Sequence, residues 1–284
     1  SFRNVTGVQT CALPIWAALA DGGIVAVRRF CRVPPEAEAA LTSPEAPIVI
    51  LDVLPEAARK GALPLCLLSP DAETLGVMLP TSPLHLLLLQ PCAGDPVPPL
   101  ELLVMTSGNR GGEPICLTNG EARERLGAIA DLFLAHDREI NLRADDSIAA
   151  LQLGQLQLWR RARGYAPNAL LLGRPLLRRV LAMGAELKNA VAVGFEERVV
   201  LSPHIGDLEA PEALASLERV ARTLPAFLER QPEGVAVDLH PDMQATRLGR
   251  RLAAEAGLPV VEVQHHHAHA AAALAEHGLE SGLA

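Results

Sequence analysis

The sequence predicts an α/β protein of two domains, and three observations carry that reading. Short β-branched runs, such as Ile48-Val49-Ile50-Leu51 and Val235-Ala236-Val237-Asp238, alternate with longer stretches of helical apolar spacing such as residues 210–230. Gly173-Arg174-Pro175 punctuates the chain, and the pattern of elements changes after it. A length of 284 residues suffices for two cores at about 100 to 200 residues per domain.

Composition narrows the class. Hydrophobic residues make up 49% of the chain, which suits a globular protein; the net charge of −8 and pI near 5.6 give no footprint for nucleic acid or an anionic membrane. Cys11, Cys31, Cys66, Cys92 and Cys116 are scattered with no C-x-x-C pair, so neither a zinc ribbon nor a disulfide framework is indicated. A reducing cytoplasm is the expected location. No apolar run reaches the length of a membrane span; residues 84–89 come nearest.

In chain order, residues 5–15 read like the translation of a sequencing-library adapter, and residues 1–15 are set aside as an artefact or leader. Residues 17–27 show a helix-to-strand pattern, followed by Arg28-Arg29-Phe30-Cys31-Arg32. A short helix is expected over 39–43 and a buried strand over 48–51; residues 74–80, TLGVMLP, resemble a turn of a known enzyme family. Ser82-Pro83 begins an apolar helix whose lone His85 reads as packed; residues 91–99 read as a Pro-rich surface loop. A strand over 102–105 delivers Thr106-Ser107-Gly108-Asn109 onto a loop. Its glycine lets the backbone approach a phosphate, while hydroxyl and amide side chains supply hydrogen bonds.

Thr118 or Asn119 caps a helix over 120–130, with Glu121 and Glu124 in its first half. A strand over 132–135 then ends at His136-Asp137-Arg138. That is either a solvated loop or a ligand-facing strand end. Asp145-Asp146-Ser147 starts the next strand; neighbouring carboxylates on a strand point to opposite faces and cannot share one ion, although one can serve a nucleotide's magnesium. Arg160, Arg161 and Arg163 offer the cationic fork a phosphoanhydride needs.

Beyond the linker, strands are expected over 180–183, 190–195 and 198–201, turning at Glu196-Glu197. A helix over 210–230, a strand over 235–238, a helix over 242–256, a strand over 259–263 and a helix from His265 complete the order β-β-β-α-β-α-β. That order is the one found in the ribonuclease-H-like half of sugar-kinase and actin-type ATPases. Residues 184–189 fall where such folds place a phosphate-binding turn, with Lys188 as its cation or as a surface lysine. Asp238 either orients an ion or water, or caps the turn into His240-Pro241. His265 and His269, four apart on a helix, share a face and can place two imidazoles on one divalent ion; surface histidines or a helix-capping cluster are the competing readings.

Thr106-Ser107-Gly108-Asn109, His136-Asp137-Arg138, Asp145-Asp146-Ser147 and Trp159-Arg160-Arg161-Ala162-Arg163-Gly164-Tyr165-Ala166-Pro167 together resemble the closing half of the YrdC-like domain of hydrogenase maturation carbamoyltransferases, the HypF family. Leu181-Ala182-Met183-Gly184-Ala185-Glu186-Leu187-Lys188-Asn189, Ser202-Pro203-His204-Ile205-Gly206-Asp207, Asp238-Leu239-His240-Pro241 and Gln264-His265-His266-His267-Ala268-His269 resemble the same family's next domain, which is similar to the TsaD-like fold. The resemblance implies an incomplete YrdC-like adenylate-forming domain over 16–172, lacking a basic segment after residue 27. It implies the N-terminal part of a TsaD-like, actin-like ATPase domain over 173–284.

The resemblance further implies ATP with Mg2+ as cofactor and carbamoyl phosphate as substrate. Carbamate is joined to AMP with loss of pyrophosphate, and the carbamoyl group then passes to the C-terminal cysteine of a HypE-type partner. The candidate nucleotide-binding residues are Thr106, Ser107, Asn109, Ser147, Arg161, Arg163 and Lys188. His265 and His269 would hold zinc or iron, with the family's third ligand, an aspartate, beyond residue 284. No catalytic residue is assigned, because this chemistry needs no nucleophile of the protein's own. Two other readings stay open: threonylcarbamoyl-adenylate chemistry for tRNA, and a nucleotide- or metal-binding piece without turnover.

Overall fold

The computed structural model describes residues 15–17, 23–59, 64–70, 72–90, 94, 96, 100, 102–110 and 113–279; residues 1–14 of the expected leader over 1–15 and most of the 91–99 loop lie outside them. The chain divides into two compact units. One comprises Ser1–Gly108 with Asp145–Tyr165, the other Asn109–Ala144 with Ala166–Ala284. Among the described residues no helix is long and apolar enough to cross a membrane.

The first unit runs β1 (Ile15–Ala17), α1 (Ile24–Arg28), α2 (Pro35–Leu41), β2 (Ile48–Asp52), α3 (Pro55–Arg59), α4 (Leu65–Leu68), β3 (Thr74–Met78), α5 (Pro83–Leu89), β4 (Leu102–Val104), β5 (Ile148–Gln152) and β6 (Gln155–Arg160). Its sheet has the order β4-β1-β3-β2-β5-β6. The β1–β3 and β2–β5 pairs are parallel and the others antiparallel. Val49, Leu51, Leu75 and Val77 meet Ile24, Val27, Ala37 and Leu41 from the helices in one core. Each such side chain contributes about 1.5–3 kcal/mol of burial.

Four expectations are corrected in and around this unit. Residues 24–27 form a helix rather than a strand, since Ile24 and Val27, three apart, are buried while Val25 is exposed. Residues 74–80 hold the central strand β3 rather than a turn. No strand forms over 132–135, where Leu132 is 90% exposed and has no neighbour to pair with, so His136-Asp137-Arg138 lies on an exposed loop. The helix expected over 39–43 lies earlier, at α2, where Pro35 sits in its first turn. Ser82 caps α5 as its sequence suggests, its hydroxyl accepting the His85 amide at 3.3 Å.

The second unit contains α6 (Asn119–Leu126), β7 (Ala169–Leu171), β8 (Val180–Ala182), β9 (Ala192–Phe195), β10 (Arg198–Leu201), α7 (Pro211–Phe227), β11 (Gly234–Asp238), α8 (Gln244–Ala256), β12 (Val260–Val263) and α9 (His265–Glu276). Its sheet has the order β12-β11-β8-β9-β10-β7, with β8, β11 and β12 parallel and the hairpins antiparallel. The β-β-β-α-β-α-β order is therefore present, and β7 adds an edge strand ahead of it. Met183, Val193, Val235 and Val237 pack under Leu217, Leu224, Leu248 and Leu252. Gly249 lets α8 lie directly on the sheet: a Cβ there would come 2.5 Å from Val237 Cγ1 and 2.7 Å from Met183 Cγ. α8 ends at Gly257, whose φ of 65° is the left-handed conformation of a helix C-terminus.

Candidate metal and nucleotide sites

Parallel strands β11 and β12 bring one site together. Asp238 ends β11 in register with Val263, so it lies beside the residues that open α9. The His265 Nδ1 atom is 2.6 Å from Asp238 Oδ2, and His265 Nε2 is 3.2 Å from His269 Nε2. The two rings are edge to face, with centroids 4.8 Å apart and planes at 77°. Zinc–nitrogen bonds of about 2.0–2.1 Å in a tetrahedron put two ligand nitrogens about 3.3 Å apart, so the pair fits two corners of one ion. Among the described residues no set of three His, Cys, Asp or Glu side chains is placed to hold one ion together. Burial pushes the Asp238 carboxyl up, but the His240 amide and the His265 ring outweigh it and hold it below the usual carboxylate range.

The turn between β8 and β9 is rigidly built. Gly184 has φ 72°, and a Cβ there would meet Ala190 O at 2.5 Å. The buried Asn189 side-chain amide donates to Met183 O at 2.9 Å and to Ala185 O at 2.6 Å, leaving the side-chain oxygen without a partner. The Lys188 amide donates to Asp207 Oδ1 at 2.7 Å, and its side chain stays exposed.

The remaining predicted nucleotide contacts divide sharply. Thr106 and Ser107 are exposed on the loop after β4. The Asn109 side-chain amide donates to Arg110 O at 2.9 Å and Glu113 O at 2.8 Å; its oxygen is buried without a partner. Arg161 is half-buried and gives one N–H to Tyr165 O at 2.9 Å. Ser147, by contrast, is fully buried. Its hydroxyl accepts from the Ala162 amide at 2.8 Å and donates to Arg163 O at 2.9 Å, so it fastens two chain segments and presents nothing to a ligand.

Arg163 is spent in the same way, with Nε on Asp146 Oδ1 at 2.8 Å and one terminal nitrogen on Ala46 O at 3.0 Å. Asp146 is thereby drawn into an ion pair, while burial pushes the neighbouring Asp145 carboxyl up against the pull of Arg160. The Cys116 thiol is likewise pushed up by burial, which suits a packed group.

Known proteins carry the same two parts in the same order. The family model for Sua5, YciO and YrdC, described as telomere recombination, matches residues 18–162, and one described as the HypF Kae1-like domain matches residues 176–276. The chain belongs to the HypF family. Carbamoyltransferase HypF2 of Cupriavidus necator is 45% identical over 251 residues, which are 84% of this chain and 30% of that protein. Carbamoyltransferase HypF of Rhodobacter capsulatus is 41% identical over 250 residues, 87% of this chain and 32% of the relative. The chain thus spans about a third of the length of these curated HypF relatives.

Two solved structures agree. A full-length HypF in a phosphate- and nucleotide-bound form superposes with a TM-score of 0.81 at 37% identity, covering 95% of this chain and 40% of that one. HypF of T. kodakarensis gives a TM-score of 0.80 at 34% identity, covering 94% and 33%. Asp238, whose role the sequence left open, does cap the turn, accepting the His240 amide at 2.8 Å, and also holds His265. Its signal was its place at the end of a strand parallel to the one that leads into the histidines.

Proposed function

We propose that this chain is the part of a [NiFe]-hydrogenase maturation carbamoyltransferase that binds ATP with Mg2+, forms a carbamoyl-adenylate and presents the carbamoyl group for transfer to the C-terminal cysteine of a HypE-type partner. The observation that carries this reading is the His265–His269 pair, with Nε2 atoms 3.2 Å apart, in a chain whose relatives are carbamoyltransferases. In the first unit, Thr106 and Ser107 would bond phosphate oxygens, and the half-buried Arg161 would neutralise their charge. Asn109, which ends the same loop as Thr106 and Ser107, would serve the nucleotide with them, and in the second unit Lys188 would face a phosphate at the β8–β9 turn. His265 and His269 would hold zinc or iron, which supplies a Lewis acid for the carbamoyl oxygen. The carbamoyl unit derives from carbamoyl phosphate, and the setting is the cytoplasm.

The test is ATP–pyrophosphate exchange by the chain, with ammonium bicarbonate as the source of carbamate. Exchange that depends on carbamate and falls at least tenfold in Arg161→Ala supports the reading. Exchange stimulated by threonine with bicarbonate instead would move the chain to threonylcarbamoyl-adenylate chemistry. Binding of ATP and zinc without any exchange would leave a binding module.

A further inference from the structure

We propose that Asp238 is a positioning residue that holds His265 as the Nδ1-protonated tautomer, so that only Nε2 is offered toward His269. The proposal rests on the reading of the histidine pair as a metal seat. Asp238 lies at the C-terminal end of β11 with its side chain 7% exposed, and each carboxylate oxygen has its own nitrogen partner. Oδ1 takes the His240 amide at 2.8 Å; Oδ2 lies 2.6 Å from His265 Nδ1. The Thr246 hydroxyl donates to the Asp238 main-chain oxygen at 3.0 Å and fixes the strand end behind it.

An ionised carboxylate only accepts hydrogen bonds, so the proton between Oδ2 and Nδ1 belongs to the ring. A neutral imidazole with Nδ1 protonated carries its lone pair on Nε2, the atom that faces His269. The two ring nitrogens point to opposite sides. Asp238 therefore cannot itself ligate an ion at Nε2, and it acts through His265 by fixing the orientation and tautomer of the ring. The two histidines are thus unequal: among the described residues, His265 has a carboxylate behind it and His269 does not.

The chemistry of an asparagine at this position sharpens the case. One amide oxygen cannot serve both the His240 amide and His265. If the oxygen stays on His240, the NH2 group faces Nδ1 and donates to it, which moves the ring proton to Nε2 and blocks the lone pair a metal needs. Asp238→Asn is then at least as damaging to metal binding as Asp238→Ala, although it is closer in shape.

Two measurements on the whole chain decide the matter. Nitrogen-15 shifts of the neutral His265 ring in the wild type read its tautomer directly and require no variant. Zinc affinity by competition with a chromophoric chelator, on variants whose amide spectra match the wild type elsewhere, reads the consequence. Protonated Nδ1 in the wild type, with a loss of about 10–100-fold in both Asp238→Ala and Asp238→Asn, is the expected result. Protonated Nε2 in the wild type, or zinc affinity unchanged in both variants, overturns the proposal. If the wild type takes up no zinc, the metal-seat reading falls while the tautomer still decides the part played by Asp238.

Discussion

Ser147→Ala separates a ligand contact from a structural fastener. The Ser147 hydroxyl is the acceptor for the Ala162 amide at 2.8 Å and the donor to Arg163 O at 2.9 Å, and both Ser147 and Ala162 are 0% exposed. Removing the oxygen leaves the Ala162 N–H buried without an acceptor, at a cost of about 1–3 kcal/mol. The cavity left by one oxygen atom is small, so the expected loss is about 2 kcal/mol. For a unit of this size that is a fall of about 4–8 °C in the midpoint of its thermal transition. The assay is urea unfolding followed by a probe in the first unit, with the slope checked for constancy, alongside ATP titration of the folded protein. ATP affinity within about twofold of wild type accompanies the loss. Stability within about 0.5 kcal/mol of wild type together with a tenfold loss of ATP affinity would refute the reasoning and return Ser147 to the nucleotide.

Three further outcomes follow from the geometry. Burial, with the charge of Asp52 nearby, pushes the Cys31 thiol up to about 12, so it resists iodoacetamide at neutral pH in the folded chain and reacts on unfolding; alkylation of native Cys31 at the rate of a free thiol would contradict its packing. Burial raises the Glu121 carboxyl, but the Leu117 amide at 2.7 Å, the ion pair with Arg125 and the charge of Arg143 outweigh it and lower the carboxyl's pKa. A lowered carboxylate stabilises the fold above its unfolded pKa and loses that contribution as pH falls through the folded one. The Leu117 amide shift therefore titrates below the ordinary value of 4.5, and a midpoint at or above it would count against the contact. Gly249→Ala gains about 1 kcal/mol in helix propensity and loses about 1–3 kcal/mol to overpacking against Val237 and Met183. A net destabilisation of about 1 kcal/mol is expected in urea; a stabilised variant would show that α8 can lift off the sheet freely.

Legibility in the sequence followed the length scale of each signal. Most of the second unit's order was readable because its elements carry local signals: short, mostly apolar runs at 192–195 and 198–201, and an apolar face on α7 that buries Leu217, Ala221 and Leu224. Strand β7 was missed because its three residues, Ala169–Leu171, have no pattern of their own, and they are strand only through pairing with β10. Residues 24–27 misled for the opposite reason. Ile-Val-Ala-Val has strand propensity, and the burial of Ile24 and Val27 on one helical face overrode it. The strand expected over 132–135 was an apolar run with no partner edge to join.

The candidate site was legible in its residue types and not in their partners. A serine and an arginine inside a motif can bind a phosphate or hold the motif together, and the chain writes both with the same letters. Which use prevails depends on where a distant segment runs: Arg163 is committed because the turn at Glu45 and Ala46 passes against Gly164, where a Cβ would lie 2.6 Å from the Glu45 backbone. The same contingency works in the other direction for Asp238. Twenty-seven positions separate it from His265, yet parallel pairing of Asp238 with Val263 makes them neighbours. Groups whose hydrogen-bonding capacity is already consumed by the fold, such as Ser147, therefore fix the shape of the site. Exposed or half-buried groups with capacity left over, Ser107, Arg161 and the Nε2 of His265, are the ones able to meet a ligand.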